Sequence, residues 1–184
     1  MRIIAGRFRG KHLATPSDES IRPTADRIRE SIFDILASRL GQSFEGLRVL
    51  DLFAGTGAMG LEALSRGAAG VVLVDTGVEA RGVIRDNIEA MGAGGVAKLL
   101  RRDATALGPS GTMGAFDLIF LDPPYQQGLG EKALASARDG GWIAPEATIV
   151  LEESRSAVLA LPVGFILDDK REYGGAAVYF LAPS

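Results

Sequence analysis

The segment RVLDLFAGTGAMGL, residues 48–61, joins a short apolar run to three closely spaced glycines, Gly55, Gly57 and Gly60. The apolar run predicts a buried β-strand, and the glycines predict a tight loop that leads into a helix. Glycine lets the backbone adopt conformations closed to other residues and approach a ligand closely, while the first turn of a helix presents free N–H groups. A nucleotide-like cofactor is therefore the expected ligand of this loop.

The spacing of these glycines also matches the dinucleotide fingerprint G-x-G-x-x-G. The fingerprint alone does not separate an NAD-dependent enzyme from a methyltransferase that uses S-adenosylmethionine. A glycine-rich turn that only packs a helix against a sheet has the same pattern. The choice among these interpretations depends on residues elsewhere in the chain.

Composition limits the fold and the chemistry. With 184 residues and 47% hydrophobic content, the chain is expected to form one compact domain with a sizeable core. Cysteine is absent and His12 is the single histidine, so we predict neither disulfides nor a metal site. The longest uncharged stretch, residues 104–116, is shorter than the roughly 18 apolar residues of a membrane-spanning helix. Because the N-terminus also lacks an apolar signal core, we expect a soluble, cytoplasmic protein.

Apolar runs that end in an acidic residue recur through the chain. The five terminal acids are Asp51, Asp75, Asp103, Asp122 and Glu152. Helical patterns follow at about residues 57–66, 77–91, 128–139 and 153–160. This alternation predicts an α/β fold with a mostly parallel, doubly covered sheet. Residues 104–115 are too rich in Gly and Pro for a full helix, and two strands around Gly174-Gly175 predict a closing antiparallel hairpin.

The five acids are expected along one edge of the sheet, where ligands of open α/β sheets bind. Asp75 is placed to accept the two ribose hydroxyls of an adenosine, as the acid after the second strand commonly does. Asp103 is expected near the adenine and Asp51 near the methionine end of the cofactor. A single acid at a strand end is more often a helix cap or a solvated turn, but five together favour a ligand site.

The segment Asp122-Pro123-Pro124-Tyr125 follows the fourth predicted strand directly. The two prolines fix their own backbone dihedrals and predict a rigid elbow. An exocyclic amine of a nucleobase is a poor nucleophile, because its lone pair is delocalised into the ring. If the Asp122 carboxylate and the Pro123 carbonyl accept its two N–H bonds while Tyr125 stacks on the base, the amine can turn toward a sulfonium methyl group. A stiff turn with a buried tyrosine is the alternative.

The N-terminus has a separate, basic character. Residues 1–12 contain four cations and no acid, and removing these four from the 20 basic residues leaves 16 against 23 acidic ones, a balance of −7. Gly6 and Gly10 predict a small basic hairpin, and a solvated arm is the alternative. A helix with an apolar stripe begins near residue 22. We expect contacts with RNA phosphates from Arg2, Arg7, Arg9, Lys11, Arg22 and Arg27.

Four segments together resemble the RsmD family of ribosomal small-subunit RNA methyltransferases. They are RIIAGRFRG at residues 2–10, RPTADRIRE at 22–30, DLFAGTGAMGLEALSRGA at 51–68 and DPPY at 122–125. The resemblance covers nearly the whole chain. It implies a Rossmann-like, seven-stranded class I methyltransferase fold with an N-terminal hairpin, S-adenosylmethionine as cofactor, and the N2 amine of a guanine in 16S rRNA of an assembling small subunit as substrate.

These arguments predict a site and a domain organisation. The catalytic residues are Asp122, Pro123, Pro124 and Tyr125. The cofactor-binding residues are Asp51, Phe53, Ala54, Gly55, Thr56, Gly57, Gly60, Asp75, Thr76, Asp103 and Ala104. Residues 1–21 form a basic arm and connector, residues 22–184 form the methyltransferase domain, and a monomer is expected. One departure from the family is that Asp75 lacks the second acid that usually follows closely.

Other functions remain possible on the sequence alone. An adenine-N6 methyltransferase acting on DNA or RNA uses the same Asp-Pro-Pro-Tyr chemistry, but it normally has an added target-recognition region. An NAD-dependent oxidoreductase explains the glycines and gives Asp122–Tyr125 no task. A non-catalytic RNA-binding module explains the basic arm and leaves the row of acids unexplained.

Overall fold

A computed structural model describes residues 1–17 and 23–184. Along the chain the elements are α1 (Pro23–Arg39), β1 (Arg48–Leu52), α2 (Ala58–Ser65), β2 (Gly70–Val74), α3 (Val78–Ala90), β3 (Ala97–Leu100), β4 (Phe116–Leu121), α4 (Leu129–Asp139), β5 (Ile143–Ser154), β6 (Phe165–Tyr173) and β7 (Ala176–Pro183). The end of the predicted connector and Arg22 lie outside the described residues. None of the helices in the described ranges combines the length and apolarity that spanning a membrane requires.

The described strands form one seven-stranded sheet in the order β3-β2-β1-β4-β5-β7-β6. Strands β1 to β5 are parallel, and β7 and β6 add antiparallel pairs at one side. The order reverses between β1 and β4, where Leu52 pairs with both Val74 and Leu121. The ends of β1, β2 and β4 therefore meet at the topological switch point, the usual ligand site of such sheets.

Each face of the sheet carries its own hydrophobic core. One core packs α1, α2, α3 and the N-terminal segment against one face, and the other packs α4 and the irregular crossover against the opposite face. Alternate residues of each buried strand point into opposite cores, as with Val49 and Leu50 in β1. This arrangement confirms the predicted Rossmann-like α/β fold with helices on both sides of the sheet.

The N-terminal segment forms an abbreviated hairpin that docks onto α2. Its single antiparallel bridge joins Arg2 to His12. The fully buried Glu62 accepts the backbone N–H groups of Ile4 and Ala5 at 2.8 and 3.0 Å. Ser65 Oγ accepts the N–H of Phe8 at 3.0 Å, and Ile3 lies in the core. The segment is therefore held by the helix that follows the glycine loop.

Two expectations about the chain between strands had different outcomes. The irregular crossover at residues 104–115 is confirmed, because it consists of two single 3-10 turns at Ala104–Ala106 and Gly111–Met113. The helix predicted at residues 153–160 is wrong, because β5 continues to Ser154, where it still pairs with Ala176 of β7. No helix lies between β5 and β6 in the described chain. The closing antiparallel hairpin, β6 and β7, is confirmed.

Gly6 offers a test of how tightly the N-terminal segment is docked. Its φ is +83°, and a Cβ atom there would lie 1.9 Å from the carbonyl oxygen of Ser65. Gly10 has φ +81° and nothing within 4 Å. Both alanine variants therefore carry the left-handed backbone cost of about 1–2 kcal/mol, but only Gly6→Ala must also displace the segment from α2. We expect Gly6→Ala to lower the free energy of unfolding by about 1–3 kcal/mol more than Gly10→Ala does.

Urea unfolding of both variants measures this difference. Equal losses would mean that the contact with Ser65 contributes nothing to stability. Tryptic cleavage after Arg7 and Arg9 in the native state provides a second measurement, since only release of the docked segment should accelerate it.

Candidate active site

The glycine loop between β1 and α2 depends on three left-handed backbone positions. Phe53, Gly55 and Gly57 have φ values of 58°, 59° and 79°. Gly57 is also the N-cap of α2 and provides no side-chain hydrogen bond to the helix. The N–H of Ala54 donates to the carbonyl of Val74 at 3.0 Å, which ties the loop to β2. The loop thus places its backbone and the start of α2 at the switch point, as the sequence predicted.

The φ of Gly60 lies outside the left-handed region, so its backbone conformation does not require glycine. Close packing does. A Cβ atom at this position would lie 2.6 Å from Val71 Cγ2 and 2.9 Å from Leu73 Cδ2. Its N–H donates to Asp51 Oδ2 at 2.9 Å. The third glycine therefore lets α2 approach the sheet closely enough for Asp51 to reach the first turn of the helix.

Asp51 is a buried acid whose charge is poorly compensated. Only 2% of the residue is exposed. Burial raises the pKa of Asp51 from 3.8 to about 8, the Gly60 N–H partly opposes this rise, and the charge of Asp75 adds to it. Because the neighbouring charge is also an acid, a cation in the cavity would stabilise the ionised form of Asp51.

Asp75 accepts two backbone N–H groups. Its Oδ2 accepts from Gly55 at 2.9 Å and its Oδ1 from Gly77 at 2.8 Å. The carboxylate thus holds the glycine loop against the loop that precedes α3. Since each carboxylate oxygen has two acceptor positions, the same group retains capacity for a ligand.

The remaining predicted cofactor residues follow β2 and β3 in the chain. Thr76 is exposed beside Asp75, and Ala104 is buried. Asp103 caps the 3-10 turn at Ala104–Ala106, where its Oδ1 accepts the N–H of Thr105 at 2.8 Å and the hydroxyl at 2.7 Å. These hydrogen bonds lower the pKa of Asp103. Asp75, Thr76, Asp103 and Ala104 are outside the lining of the cavity described next.

A cavity of about 940 Å³ opens at the switch point. Its lining brings together residues 53–56 of the glycine loop, residues 77–80 at the start of α3, and Asp51. Asp122 and Tyr125 line it from the side of β4. The volume falls within the range of small-molecule and cofactor sites. A separate cavity of about 510 Å³, lined by residues such as Thr105 and Lys132, contains none of the predicted site residues.

The elbow after β4 is fixed against the end of β5. The Tyr125 hydroxyl donates to Glu152 Oε1 at 2.5 Å, and burial together with this bond raises the pKa of Tyr125. The next residue, Gln126, has φ +61°, and its N–H donates to the buried Glu153 at 2.9 Å. Pro123 is buried and Asp122 is exposed. Two acids of β5 therefore hold the elbow in place.

Sequence analysis missed several residues of this region. Asn87 of α3 is 1% exposed, donates to the carbonyls of Ala14 and Thr56 at 3.1 and 2.9 Å, and accepts the N–H of Ala14 at 2.6 Å. It therefore ties the N-terminal segment to the glycine loop. Nothing in the helical pattern distinguishes this asparagine from a solvated one. Glu79, four residues after Asp75, lines the cavity and adds a second acid to this part of the chain.

Arg29 of α1 is a buried cation at the cavity wall. It is 4% exposed, pairs with Asp26 at 3.2 Å and with Glu62 at 3.9 Å, and donates to the carbonyl of Arg2 at 2.5 Å. Burial lowers the pKa of Arg29, and Asp26 and Glu62 partly offset this effect. Its Nε has no hydrogen-bond partner.

The predicted RNA-binding cations are on the surface. Arg2, Arg7, Arg9, Lys11 and Arg27 are exposed. Met1 lines the cavity, so this end of the N-terminal segment lies at the cavity wall. Across residues 1–17 and 23–184, no group of three or more His, Asp and Glu side chains is arranged to hold a metal ion.

Comparisons with known proteins place this geometry in context. A family model described as conserved hypothetical protein 95 matches residues 1–182. Ribosomal RNA small subunit methyltransferase D of Escherichia coli strain K12 is 35% identical over 96% of this chain and 87% of its own length. A candidate rRNA methyltransferase of Bacillus subtilis, YlbH, is 35% identical over 97% and 98%. The structure of yhhF, a methyltransferase candidate from Escherichia coli, has a TM-score of 0.85 at 32% identity, covering 100% of this chain and 98% of that one.

The raised pKa of Asp51 predicts a pH dependence of stability. Between pH 3.8 and about 8 the folded chain retains a proton that the unfolded chain releases. The free energy of unfolding contributed by Asp51 therefore falls as the pH rises through this window and is constant above it. Asp51→Asn removes the titration while its amide oxygen can still accept the Gly60 N–H.

We expect the free energy of unfolding of wild type, relative to that of Asp51→Asn, to decrease steadily between pH 3.8 and about 8. Urea unfolding of both proteins over a pH series measures the difference. A difference that is independent of pH would show that Asp51 ionises as readily in the fold as in the unfolded chain.

Proposed function

Because the chain belongs to the RsmD family, we propose that it transfers a methyl group from S-adenosylmethionine to the N2 amine of a guanine in 16S rRNA of the small ribosomal subunit. The observation that carries the proposal is the shared cavity. The glycine loop and the elbow at Asp122–Tyr125 open into the same space at the switch point. An oxidoreductase would leave this elbow without a task.

The acidic residues of the cavity suit the positive charge of S-adenosylmethionine, and the volume of the cavity suits a cofactor. When bound, the cofactor supplies a methyl group activated by a positively charged sulfur. Asp51 is a buried acid with a raised pKa, and the cationic methionine end of the cofactor is the kind of partner it lacks. We assign Asp51 to that end. In this proposal the backbone of residues 53–57 contacts the cofactor, and Gly60 supports the loop.

The adenosine end is assigned to the side of β2 and β3. Asp75 lies between the glycine loop and the start of α3 and accepts the ribose hydroxyls in this proposal, with Glu79 as a second acid nearby. Val78, which is 79% exposed at the cavity, offers an apolar surface for the adenine. Thr76, Asp103 and Ala104 are the other residues that we assign to the adenosine end of the cofactor.

The elbow orients the target amine. In the proposal, the Asp122 carboxylate and the Pro123 carbonyl accept the two N–H bonds of the amine, which frees the nitrogen lone pair to point at the methyl carbon. Tyr125, 41% exposed, stacks on the base. The new C–N bond forms as the C–S bond breaks, and the proton lost from nitrogen passes to water. Asp122 acts as an orienting acceptor, and Pro124 keeps the elbow rigid.

The exposed cations of the N-terminal segment bind the RNA backbone in this proposal. Met1 of the same segment lines the cavity, so a strand of rRNA held by these cations would reach the site with one base directed toward Tyr125. We propose that residues 1–21 act as this arm and connector, that residues 22–184 form the methyltransferase domain, and that a monomer acts on the assembling subunit. Arg22 and Arg27 are proposed to make further phosphate contacts, and Arg27 is exposed.

Substitutions at Asp122 test the proposed chemistry. Asp122→Ala should abolish methylation of small subunits while leaving S-adenosylmethionine affinity near wild type, because the assigned cofactor contacts lie at Asp51 and Asp75. Asp122→Asn should keep partial activity, since its amide oxygen accepts one bond. Transfer of labelled methyl groups and calorimetry measure the two properties. A normal rate for Asp122→Ala would refute the role of Asp122.

Substitutions at Tyr125 separate stacking from the hydroxyl. Tyr125→Phe should retain most activity because the ring remains, whereas Tyr125→Ala should lose about 1–3 kcal/mol of transition-state stabilisation, the value of one stacked base. The ratio kcat/KM on small subunits measures this loss. Equal damage from the two substitutions would exclude stacking as the function of the ring.

The arm is tested by neutralising charges, because deletion would remove Ile3 from the core. For single strands, each lost phosphate contact reduces the steepness of log affinity against log salt by about 0.7. The double variant Arg7→Gln with Arg9→Gln should therefore flatten this slope by roughly 1.4. Lys98→Gln with Lys132→Gln, two exposed cations on β3 and α4, is the matched control. Filter binding of rRNA over a salt series measures the slope. Equal slopes in the two double variants would leave the arm without a role in binding.

A further inference from the structure

Glu152 of β5 lies level with Asp122 on the same side of the sheet. The parallel strands β4 and β5 pair Phe120 with Val150 and Leu121 with Leu151, so Asp122 and Glu152 follow paired positions. Side chains alternate between faces along a strand. Both acids therefore share the face of Phe120 and Val150, and all four residues line the cavity.

The carboxylate of Glu152 is held in a defined place. Its Oε1 accepts the Tyr125 hydroxyl at 2.5 Å, which leaves the second oxygen of the carboxylate for another donor. The backbone of Glu152 is fixed as well, because this residue pairs with Val178 in the antiparallel ladder. Burial, the bond to Glu152 and the charges of Glu152, Asp122 and Glu153 raise the pKa of Tyr125. Asp122, Tyr125 and Glu152 all line the same cavity.

Two adjacent carboxylates suit one nucleobase edge in particular. Guanine presents N1–H and the N2 amine side by side, which gives three N–H donors in a row. Adenine presents the N6 amine beside N1, which is an acceptor and would face a carboxylate unfavourably. A carboxylate accepts hydrogen bonds and has none to donate when ionised. The pair of acids thus favours guanine through attraction and disfavours adenine through repulsion.

We propose that Glu152 is a specificity-determining residue that accepts the N1–H of the target guanine while Asp122 accepts from the N2 amine. The inference rests on the proposed function, since it assigns a partner to the edge of the same base. It also assigns Glu152 two tasks, holding the Tyr125 hydroxyl with one oxygen and binding the base with the other. A residue that only positioned Tyr125 would have no effect on the choice of base.

The experiment uses a base that keeps the reacting amine and changes only its neighbours. The modified guanine is first located by mass spectrometry of rRNA from methylated small subunits. That guanine is then replaced by 2,6-diaminopurine in reconstituted subunits. This base carries the same 2-amine, but its N1 is an acceptor. The values of kcat/KM for the two substrates are compared for wild type, Glu152→Gln and Tyr125→Phe.

Wild type should prefer guanine. Glu152→Gln should lower the preference for guanine over 2,6-diaminopurine by at least roughly tenfold, because the amide can donate to an acceptor N1 and still accept the Tyr125 hydroxyl. Tyr125→Phe removes the same hydroxyl bond from Glu152 but should leave the preference within about twofold of wild type. An equal loss on both substrates in Glu152→Gln would overturn the inference.

A second variant protects the test against misfolding. If Glu152→Gln fails to unfold cooperatively or loses S-adenosylmethionine binding, Glu152→Ala replaces it. The alanine removes both the attraction to N1–H and the repulsion of an N1 lone pair. The ratio of kcat/KM for guanine to that for 2,6-diaminopurine should therefore again fall toward one. A wild-type enzyme that methylates no guanine N2 in small subunits would instead refute the proposed function, and the inference with it. An unchanged preference in an otherwise active variant refutes the inference alone.

Discussion

The close approach of α2 to the sheet is the contact on which the other features of the site depend. Gly60 has no side chain, and any Cβ would collide with Val71 and Leu73 of β2. This approach lets the buried Asp51 hold the first turn of α2 through the Gly60 N–H. The glycine loop is short and partly left-handed because it must join a strand to a helix that lies this close. The opposite side of the same helix receives the N-terminal segment through Glu62 and Ser65.

The N-terminal segment and the glycine loop are therefore parts of one packed unit. Glu62 is fully buried and is surrounded by Ile4 and Ala5 N–H groups and by the cations Arg29 and Arg66. Such a buried carboxylate is stable only when its partners are all in place. Asn87 makes a second connection, from Ala14 to the carbonyl of Thr56. These hydrogen bonds connect the N-terminal segment to the glycine loop through both α2 and α3.

Local pattern was sufficient for the parts of the site that depend on backbone conformation. The glycines and the double proline at residues 123–124 each set the backbone conformation in a way visible in the sequence. Of the residues around them, Asp51, Gly55, Asp122 and Tyr125 line one cavity. The pattern failed at residues 153–160, because Glu153 and Ser154 look like the start of a solvated helix. In the fold, Glu153 is buried and accepts the N–H of Gln126. Its role depends on a loop 27 residues earlier, which periodicity cannot detect.

The same long-range dependence explains why Glu152 looked like one more strand-end acid. In the sequence, it closes an apolar run just as Asp51 and Asp122 do. In the fold, β5 continues past it, so the register with β4 sets its position beside Asp122. A strand that ended at Glu152 would leave this carboxylate on a mobile loop, whereas the ladder with β7 holds it in place. Extending β5 by two residues thus turns a terminal acid into a fixed acceptor beside the elbow, and the precision of any hydrogen-bonded selection of a base depends on that rigidity.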